Sequence, residues 1–207
     1  MTSPYKLGSV LLQYPTCALF QGLDQLDTAT LSIGPKQARE ALTRFLGWLR
    51  VTDPSEVAAH YVQTFDLRRR CALYLTYYRY GDTRKRGMAM VVFKAAYRDA
   101  GFVPSDDDLP DYLPMVLEFA ARADLAAGRE LLQAYRPSLE LLRIALDEKQ
   151  SPYAGALVAV CATLPGESPA TRAAVQAMVD AGHPPVESVG LDAYDPRLLP
   201  LQPVGEQ

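Results

Sequence analysis

The chain has 207 residues, of which 49% are hydrophobic and 22% are charged. These are ordinary values for a globular protein, so they exclude wholesale disorder and fibrous repeats and predict one domain with a substantial core. The formal net charge of −3 argues against a protein that coats nucleic acid, because such proteins normally carry a strong basic excess.

The first clear helical pattern is a stripe of apolar residues with spacings of three and four, which predicts an amphipathic helix that buries one face. Its members are Ala38, Leu42, Phe45, Leu46 and Leu49. Asp53 and Pro54 then predict the start of a second helix, as N-cap and first helical residue. That helix places Val57, Tyr61 and Phe65 on one face.

A third helix is predicted from about Cys71 to Gly81, with Tyr74 and Tyr78 on one side. Glycine at its end can adopt the left-handed conformation that often terminates helices, and Asp82 is then the expected N-cap of a fourth helix. The expected buried stripe of this fourth helix consists of Met88, Val91, Val92 and Ala95.

The glycine, prolines and acids of residues 101–111 predict an exposed loop. Helix resumes after it, and Pro114 is tolerated there only within the first turn. Residues 128–149 predict a long helical stretch that Pro137 kinks or restarts. No alternating β segment of any length is present, so we expect an all-α, single-domain bundle of about eight or nine helices. Its boundaries are 1–182.

Beyond this domain, residues 183–207 are rich in proline and lack periodicity, so we expect a flexible tail. The three cysteines, Cys17, Cys71 and Cys161, show no zinc-site spacing and leave an odd thiol in any disulfide scheme. No signal peptide or stretch of roughly 18 apolar residues is found. We therefore expect a cytoplasmic protein that neither enters a membrane nor holds a metal.

Catalytic motifs are missing from the sequence: there is no GxGxxG, P-loop or nucleophile elbow. His60 is interpreted as a packing or surface residue, and Cys71 as an inert thiol because no histidine is near it in sequence. Asp111 and Glu118 share a helical face but lack a pocket signature, so we interpret them as a charged surface. We expect no catalytic residue.

The stretch TYYRYGDTRKRG at 76–87 allows three interpretations. It is a packed helix corner with tyrosine hydroxyls at its rim, a nucleic-acid surface of stacking tyrosines and phosphate-binding arginines, or a peptide or protein interface. Residue types alone favour the packed corner.

Two blocks carry a family resemblance: YVQTFDLRRRCALYLTYYRYGDTRKRGMAM at 61–90 and LPDYLPMVLEFAA at 109–121. In order and spacing they resemble the NarJ family, the delta-subunit assembly chaperones of respiratory nitrate reductase. The resemblance implies a TorD/DmsD-like helical fold, no catalysis and no stably bound cofactor. It also implies a monomer or weak homodimer.

The implied partner is the catalytic alpha subunit of nitrate reductase, held through its N-terminal segment while the molybdenum cofactor is inserted and before the enzyme docks to the membrane. Alternatives are a chaperone for another molybdoenzyme, of the dimethyl sulfoxide or trimethylamine oxide reductase type, and an RNA-binding helical module. The net charge speaks against a nucleic-acid partner.

The expected client site is a groove with aromatic walls and acidic contacts that receives an amphipathic, basic peptide. The candidate walls are Tyr61, Phe65, Tyr74, Tyr78 and Tyr112, with Pro114 beside them. The candidate acidic contacts are Asp66, Asp82, Asp111 and Glu118. Arg84 and Arg86 are expected either to touch a second surface of the client or to pair with the acidic loop.

Overall fold

The structure is a computed structural model that describes residues 3–104 and 108–182. Within these residues it contains twelve α-helices and no strand beyond one isolated bridge, which confirms the all-α prediction. The helices are α1 (Pro4–Leu11), α2 (Cys17–Gln21), α3 (Leu23–Leu31), α4 (Lys36–Val51), α5 (Pro54–Tyr61), α6 (Tyr77–Tyr80), α7 (Arg84–Asp99), α8 (Leu113–Arg122), α9 (Leu125–Ala134), α10 (Arg136–Glu148), α11 (Ala154–Cys161) and α12 (Arg172–Gly182). The expected tail at 183–207 lies outside the described residues.

The centre of the bundle is α11, whose sequence AGALVAVC is apolar throughout and which packs against α4, α1 and α10. Close packing requires the small residue Gly155. A Cβ atom there would lie 2.7 Å from the carbonyl oxygen of Ala41 on α4, so any side chain would push the two helices apart.

The sequence patterns around α4 and α5 are confirmed. The apolar stripe of α4 is buried along its whole length. Asp53 caps α5, since its Oδ1 accepts a hydrogen bond of 2.8 Å from the Ser55 N–H, and Pro54 is the first helical residue. After Tyr61 the helix widens into a π-helical turn, Val62–Asp66, which contains the buried Phe65.

An aromatic cluster around Tyr153 joins α4, α5 and the start of α11. The imidazole of His60 stacks on the Tyr153 ring with an interplanar angle of 4°, while Phe45 and Phe65 contact other parts of the same ring. The interpretation of His60 as a packing residue is therefore confirmed.

The prediction of one helix from about Cys71 to Gly81 is wrong. The chain forms a 3₁₀ turn at Arg69–Cys71, an extended stretch around Tyr74, and only the single turn of α6. Leu75 N–H donates to the Asp111 carbonyl (3.1 Å) and Leu113 N–H donates to the Leu73 carbonyl (2.7 Å). These hydrogen bonds to a distant segment replace the ones that a helix would have made.

At the turn after α6, the predicted role of Gly81 is confirmed, but the predicted N-cap of the next helix is wrong. Gly81 ends α6 with a φ of 53°, in the region that glycine reaches without a steric penalty. Thr83, rather than Asp82, is the residue before α7.

The predicted buried face of α7 is also wrong. Met88, Val91 and Val92 are 76%, 61% and 56% exposed, and Ala95 is half-buried. The buried face instead contains Ala89, Phe93 and Tyr97. Two apolar stripes compete on this helix, and the aromatic one is buried because its rings pack against Tyr135 and Phe119 and remove more surface from water.

Residues 128–149 do restart at a proline, as predicted: α9 ends at Ala134 and α10 begins with Pro137 in its first turn. On α10 the carboxylate of Glu140 is fully buried between two guanidinium groups. Its oxygens lie 3.5 Å from Arg136 Nε and 2.7 Å from Arg143 Nε. Both arginines also donate to backbone carbonyls, of Gly166 and Pro169, which ties the loop before α12 to the bundle.

No helix in the described part of the chain combines the length and apolar composition that a membrane span requires.

We expect the buried ion pairs of α10 to be essential for stability. Glu140→Gln leaves two largely buried guanidinium groups without a counter-charge and should lower the free energy of unfolding by about 3–5 kcal/mol in urea denaturation. The matched control is Glu148→Gln on the same helix, because Glu148 pairs with Arg172 at the surface and its loss should lower the same quantity by less than about 1 kcal/mol. Equal losses in the two variants would contradict this assignment.

Candidate functional site

The two sequence blocks at 61–90 and 109–121 meet at the carboxylate of Asp111, which is fully buried. Its Oδ2 accepts hydrogen bonds from the Thr76 backbone N–H (3.1 Å) and the Thr76 hydroxyl (2.6 Å). Arg86 Nη2 lies 3.7 Å from the same oxygen. One carboxylate therefore joins the α6–α7 corner to the start of α8.

Arg86 completes this junction from the helix side. Its Nε donates to the Thr76 hydroxyl (3.2 Å), and its guanidinium lies over the rings of Tyr74 and Tyr77, at 5.5 and 5.7 Å from their centroids. The side chain is only 16% exposed. Arg86 thus packs inside the corner and faces Asp111, while Arg84 is exposed.

Three of the predicted contact residues are located too deep for a client. Asp111 is engaged inside the junction. Tyr61 and Phe65 are 5% and 7% exposed, and the Tyr61 hydroxyl donates to the Leu12 carbonyl (3.2 Å). Burial raises the pKa of Tyr61, as expected for a core phenol. Tyr61 and Phe65, two of the candidate walls, are not accessible in this structure, because both rings pack in the aromatic cluster around Tyr153.

An open groove of about 480 Å³ lies beside this junction, between the loop after α1, the turn after α7 and the start of α8. Three predicted residues line it together: Tyr112, Pro114 and Glu118. The other lining residues are Gln13, Tyr14, Thr16, Phe102, Asp108 and Met115. The groove therefore combines three aromatic rings with two carboxylates, the chemistry that the sequence led us to expect.

Glu118 is held at the groove by three donors. Its Oε2 is 2.6 Å from Lys6 Nζ and accepts from the Ser9 hydroxyl (2.9 Å), and its Oε1 accepts from Arg122 (3.0 Å). Desolvation is the largest single influence on the pKa of Glu118 and raises it, but the hydrogen bonds from Lys6, Arg122 and Ser9 together outweigh desolvation, so the pKa lies below its ordinary value of 4.5. This carboxylate is charged at neutral pH.

The remaining predicted residues are spread over other surfaces. Tyr74 is half-buried and packs on Tyr112, with ring centroids 5.5 Å apart. Tyr78 lines a different cavity of about 610 Å³, between α6, α10 and α12, which also contains the cations Arg79 and Arg136. Asp66 and Asp82 are exposed and do not line the groove, and Asp82 lies 3.6 Å from Arg86.

Sequence reasoning missed Tyr14 and Phe102. Tyr14 is 52% exposed and meets the buried Tyr61 edge-to-face at 5.5 Å. Its signal in the sequence is the following Pro15, which disfavours helical backbone at Tyr14. Phe102 follows the turn at Gly101 and packs on Phe119, so it gave no signal distinct from a core residue.

The family model described as nitrate reductase delta subunit matches residues 33–159, which include both blocks and the Asp111 junction. The chain belongs to this family. The delta-subunit relatives include a probable nitrate reductase molybdenum cofactor assembly chaperone NarJ of Bacillus subtilis, 35% identical over 84% of this chain and 93% of that protein. NarJ of Escherichia coli is 36% identical over 70% of this chain and 63% of that protein.

A nitrate reductase-like protein NarX of Mycobacterium tuberculosis is 45% identical over 77% of this chain. The match spans only 24% of the length of that mycobacterial protein. The delta-subunit family thus includes relatives of similar size and a module within a much longer protein.

We expect Asp111 to be a structural residue. Asp111→Ala removes the acceptor of two buried Thr76 donors and the counter-charge of Arg86, and should lower the free energy of unfolding by about 3 kcal/mol in urea denaturation. Asp82→Ala is the matched control, because Asp82 pairs with the same arginine from the surface and should cost less than about 1 kcal/mol. A stable Asp111→Ala variant would show that the junction does not depend on this carboxylate.

The lowered pKa of Glu118 predicts a pH dependence with a definite sign. A carboxylate whose pKa is lower in the folded state contributes stability above its unfolded value, and this contribution disappears as the pH falls through the folded value. The difference in unfolding free energy between the wild type and Glu118→Gln should therefore be constant from neutral pH down to about 5 and shrink below 4.5. In a Lys6→Met/Arg122→Met background this pH-dependent difference should be much smaller; persistence there would contradict the assigned cause.

Proposed function

We propose that this chain is an assembly chaperone for a nitrate reductase, and that the groove beside the Asp111 junction binds the N-terminal segment of the apo catalytic subunit. The family and the names of its NarJ relatives support an assembly role. The observation that carries the assignment to this groove is its lining, which combines aromatic rings with carboxylates.

The groove has the properties that an amphipathic, basic helix requires of its receptor. Tyr14, Phe102 and Tyr112 offer aromatic surface for the apolar face of the peptide, and Met115 can adapt its shape to different side chains. Asp108 and Glu118 contribute carboxylates to the lining, which would attract basic residues of the peptide. Burial of apolar surface then supplies affinity, while the carboxylates favour one orientation and faster association.

The groove and the larger cavity at Tyr78 differ in the charge of their lining residues. The described residues that line that cavity include Arg79 and Arg136 but no carboxylate, so it offers no acidic contact to a basic peptide. The client segment therefore binds on the α8 side of the molecule in this proposal.

The chaperone acts in the cytoplasm and without catalysis, as a monomer or weak homodimer, and it holds no cofactor of its own. The molybdenum cofactor is cargo for the client, whose apo form is kept competent until the cofactor is inserted and the enzyme docks to the membrane. A client of the dimethyl sulfoxide or trimethylamine oxide reductase type is the alternative within the same mechanism, and it is distinguished by which N-terminal peptide binds.

Calorimetric titration tests the proposal with a peptide of roughly the first 15–30 residues of the nitrate reductase catalytic subunit encoded with this chain, long enough to form a helix in a groove. Tyr14→Ser removes an exposed wall and should weaken binding by about tenfold. Glu118→Lys reverses a charge at the groove and should also weaken binding, without loss of helicity by circular dichroism.

The control variant is Val51→Ser, because Val51 is 85% exposed and does not line the groove. It should leave affinity unchanged. Absence of peptide binding over a range of pH, or equal affinity in all three variants, would contradict the proposal. Association that instead requires RNA and weakens steeply with salt would favour the nucleic-acid alternative.

A further inference from the structure

A second, smaller cavity lies on another side of the molecule, between α5, the turns that follow it and the end of α10. Its volume is about 120 Å³, which leaves room for the four oxygens of a tetrahedral oxyanion, given about 30 Å³ for each water in the liquid. The lining residues are His60, Gln63, Thr64, Arg68, Cys71, Lys149 and Ser151. None of these carries a carboxylate.

The inner wall of this cavity presents hydrogen-bonding groups in defined positions. His60 Nε2 lies 2.9 Å from the hydroxyl of Ser151, and Ser151 is only 4% exposed. The imidazole is held in place by its stacking on Tyr153. The buried Thr64 adds a second hydroxyl and Gln63 an amide, so neutral donors converge on one small volume.

The outer wall supplies positive charge. Within the described residues, Arg68 and Lys149 form no ion pair, and the neighbouring Glu148 is already bound by Arg172 through two hydrogen bonds of 3.1 and 2.9 Å. Burial lowers the pKa of His60, and Arg68 lowers it further. Burial raises the pKa of the Cys71 thiol, while Arg68 and Lys149 oppose that rise. Both cations therefore act on the groups that face the cavity.

The backbone between the two walls is strained. Gln150 has a φ of 52° and is the one non-glycine residue with a positive φ in the described part of the chain. It ends α10, and the next N–H, of Ser151, donates to the Leu146 carbonyl (2.9 Å). Glycine usually occupies this position of a helix terminus. The turn directs Lys149 and Ser151 to the same cavity, and strained residues of this kind cluster at binding sites.

We propose that this cavity binds a tetrahedral oxyanion, either inorganic phosphate or the phosphate group of a small phosphomonoester. Arg68 and Lys149 neutralise the charge, while Thr64 and Gln63 donate to its oxygens. In this arrangement His60 Nε2 donates to the Ser151 hydroxyl oxygen, which leaves the Ser151 hydroxyl proton for the oxyanion. Lining groups that are almost all donors or cations, with no carboxylate, would repel a metal ion and attract an anion. This site lies outside the groove and is independent of the proposed chaperone function.

The test uses the full chain and the imidazole signals of His60 in proton–carbon correlation spectra. The sequence has two histidines, so a His60→Gln variant assigns the signal. Sodium phosphate and glycerol 3-phosphate are titrated separately, with sodium chloride at matched ionic strength as the reference. Saturation with phosphate alone identifies a free ion as the ligand, and saturation with both probes identifies a phosphate group that tolerates a substituent.

Arg68→Gln and Lys149→Gln should each weaken phosphate binding by about tenfold, since each removes a charge-assisted hydrogen bond. Lys94→Gln is the charge-matched control, because Lys94 is an exposed cation on α7 that does not line the cavity. The affinity of this variant for phosphate should equal that of the wild type. A linear response, a response equal to that of sodium chloride, or equal affinity in all three variants would overturn the proposal. Binding of the nitrate reductase peptide is measured in parallel and should be unaffected.

Discussion

The buried carboxylate of Asp111 is the constraint on which the site depends. It satisfies the backbone N–H and hydroxyl of Thr76 and faces the guanidinium of Arg86. Burying a carboxylate is costly unless hydrogen-bond donors and a counter-charge face it. Thr76 and Arg86 face Asp111 only when the α6–α7 corner lies at the start of α8. Residues 35 positions apart in the sequence thereby become one rigid unit.

The groove follows from this junction. Hydrogen bonds from Leu75 and Leu113 fasten the two segments beside Asp111, and the Tyr97 hydroxyl donates to the Pro110 carbonyl (2.6 Å). With the backbone held on both sides, the half-buried Tyr112 lines the groove next to the buried Pro114. A receptor wall that is ordered before binding loses less conformational entropy when a peptide arrives.

Local patterns predicted the fold where local forces decide it. The stripe of α4, the cap at Asp53 and the restart at Pro137 depend on neighbours within a turn, and each is found as expected. The helix predicted at 71–81 failed because hydrogen bonds to 111–113 replaced its own. The predicted buried face of α7 was wrong because the helix carries two apolar stripes. Contacts with the rings of Phe119 and Tyr135, which are distant in sequence, decide which stripe is buried. The burial of individual tyrosines could not be predicted either. Tyr61 and Tyr112 look alike in sequence, but Tyr61 is buried and Tyr112 lines the groove.

The central claim is that the nitrate reductase client binds in the groove lined by Tyr14 and Tyr112, and site-specific photo-crosslinking tests it most directly. Benzoylphenylalanine is placed at Tyr14 or, for comparison, at Tyr78 in the cationic cavity, and the full chain is irradiated with the purified apo catalytic subunit. The account predicts crosslinks from position 14 to the N-terminal segment of the client and none from position 78. Crosslinks to that segment from position 78, or their absence from position 14, would contradict it.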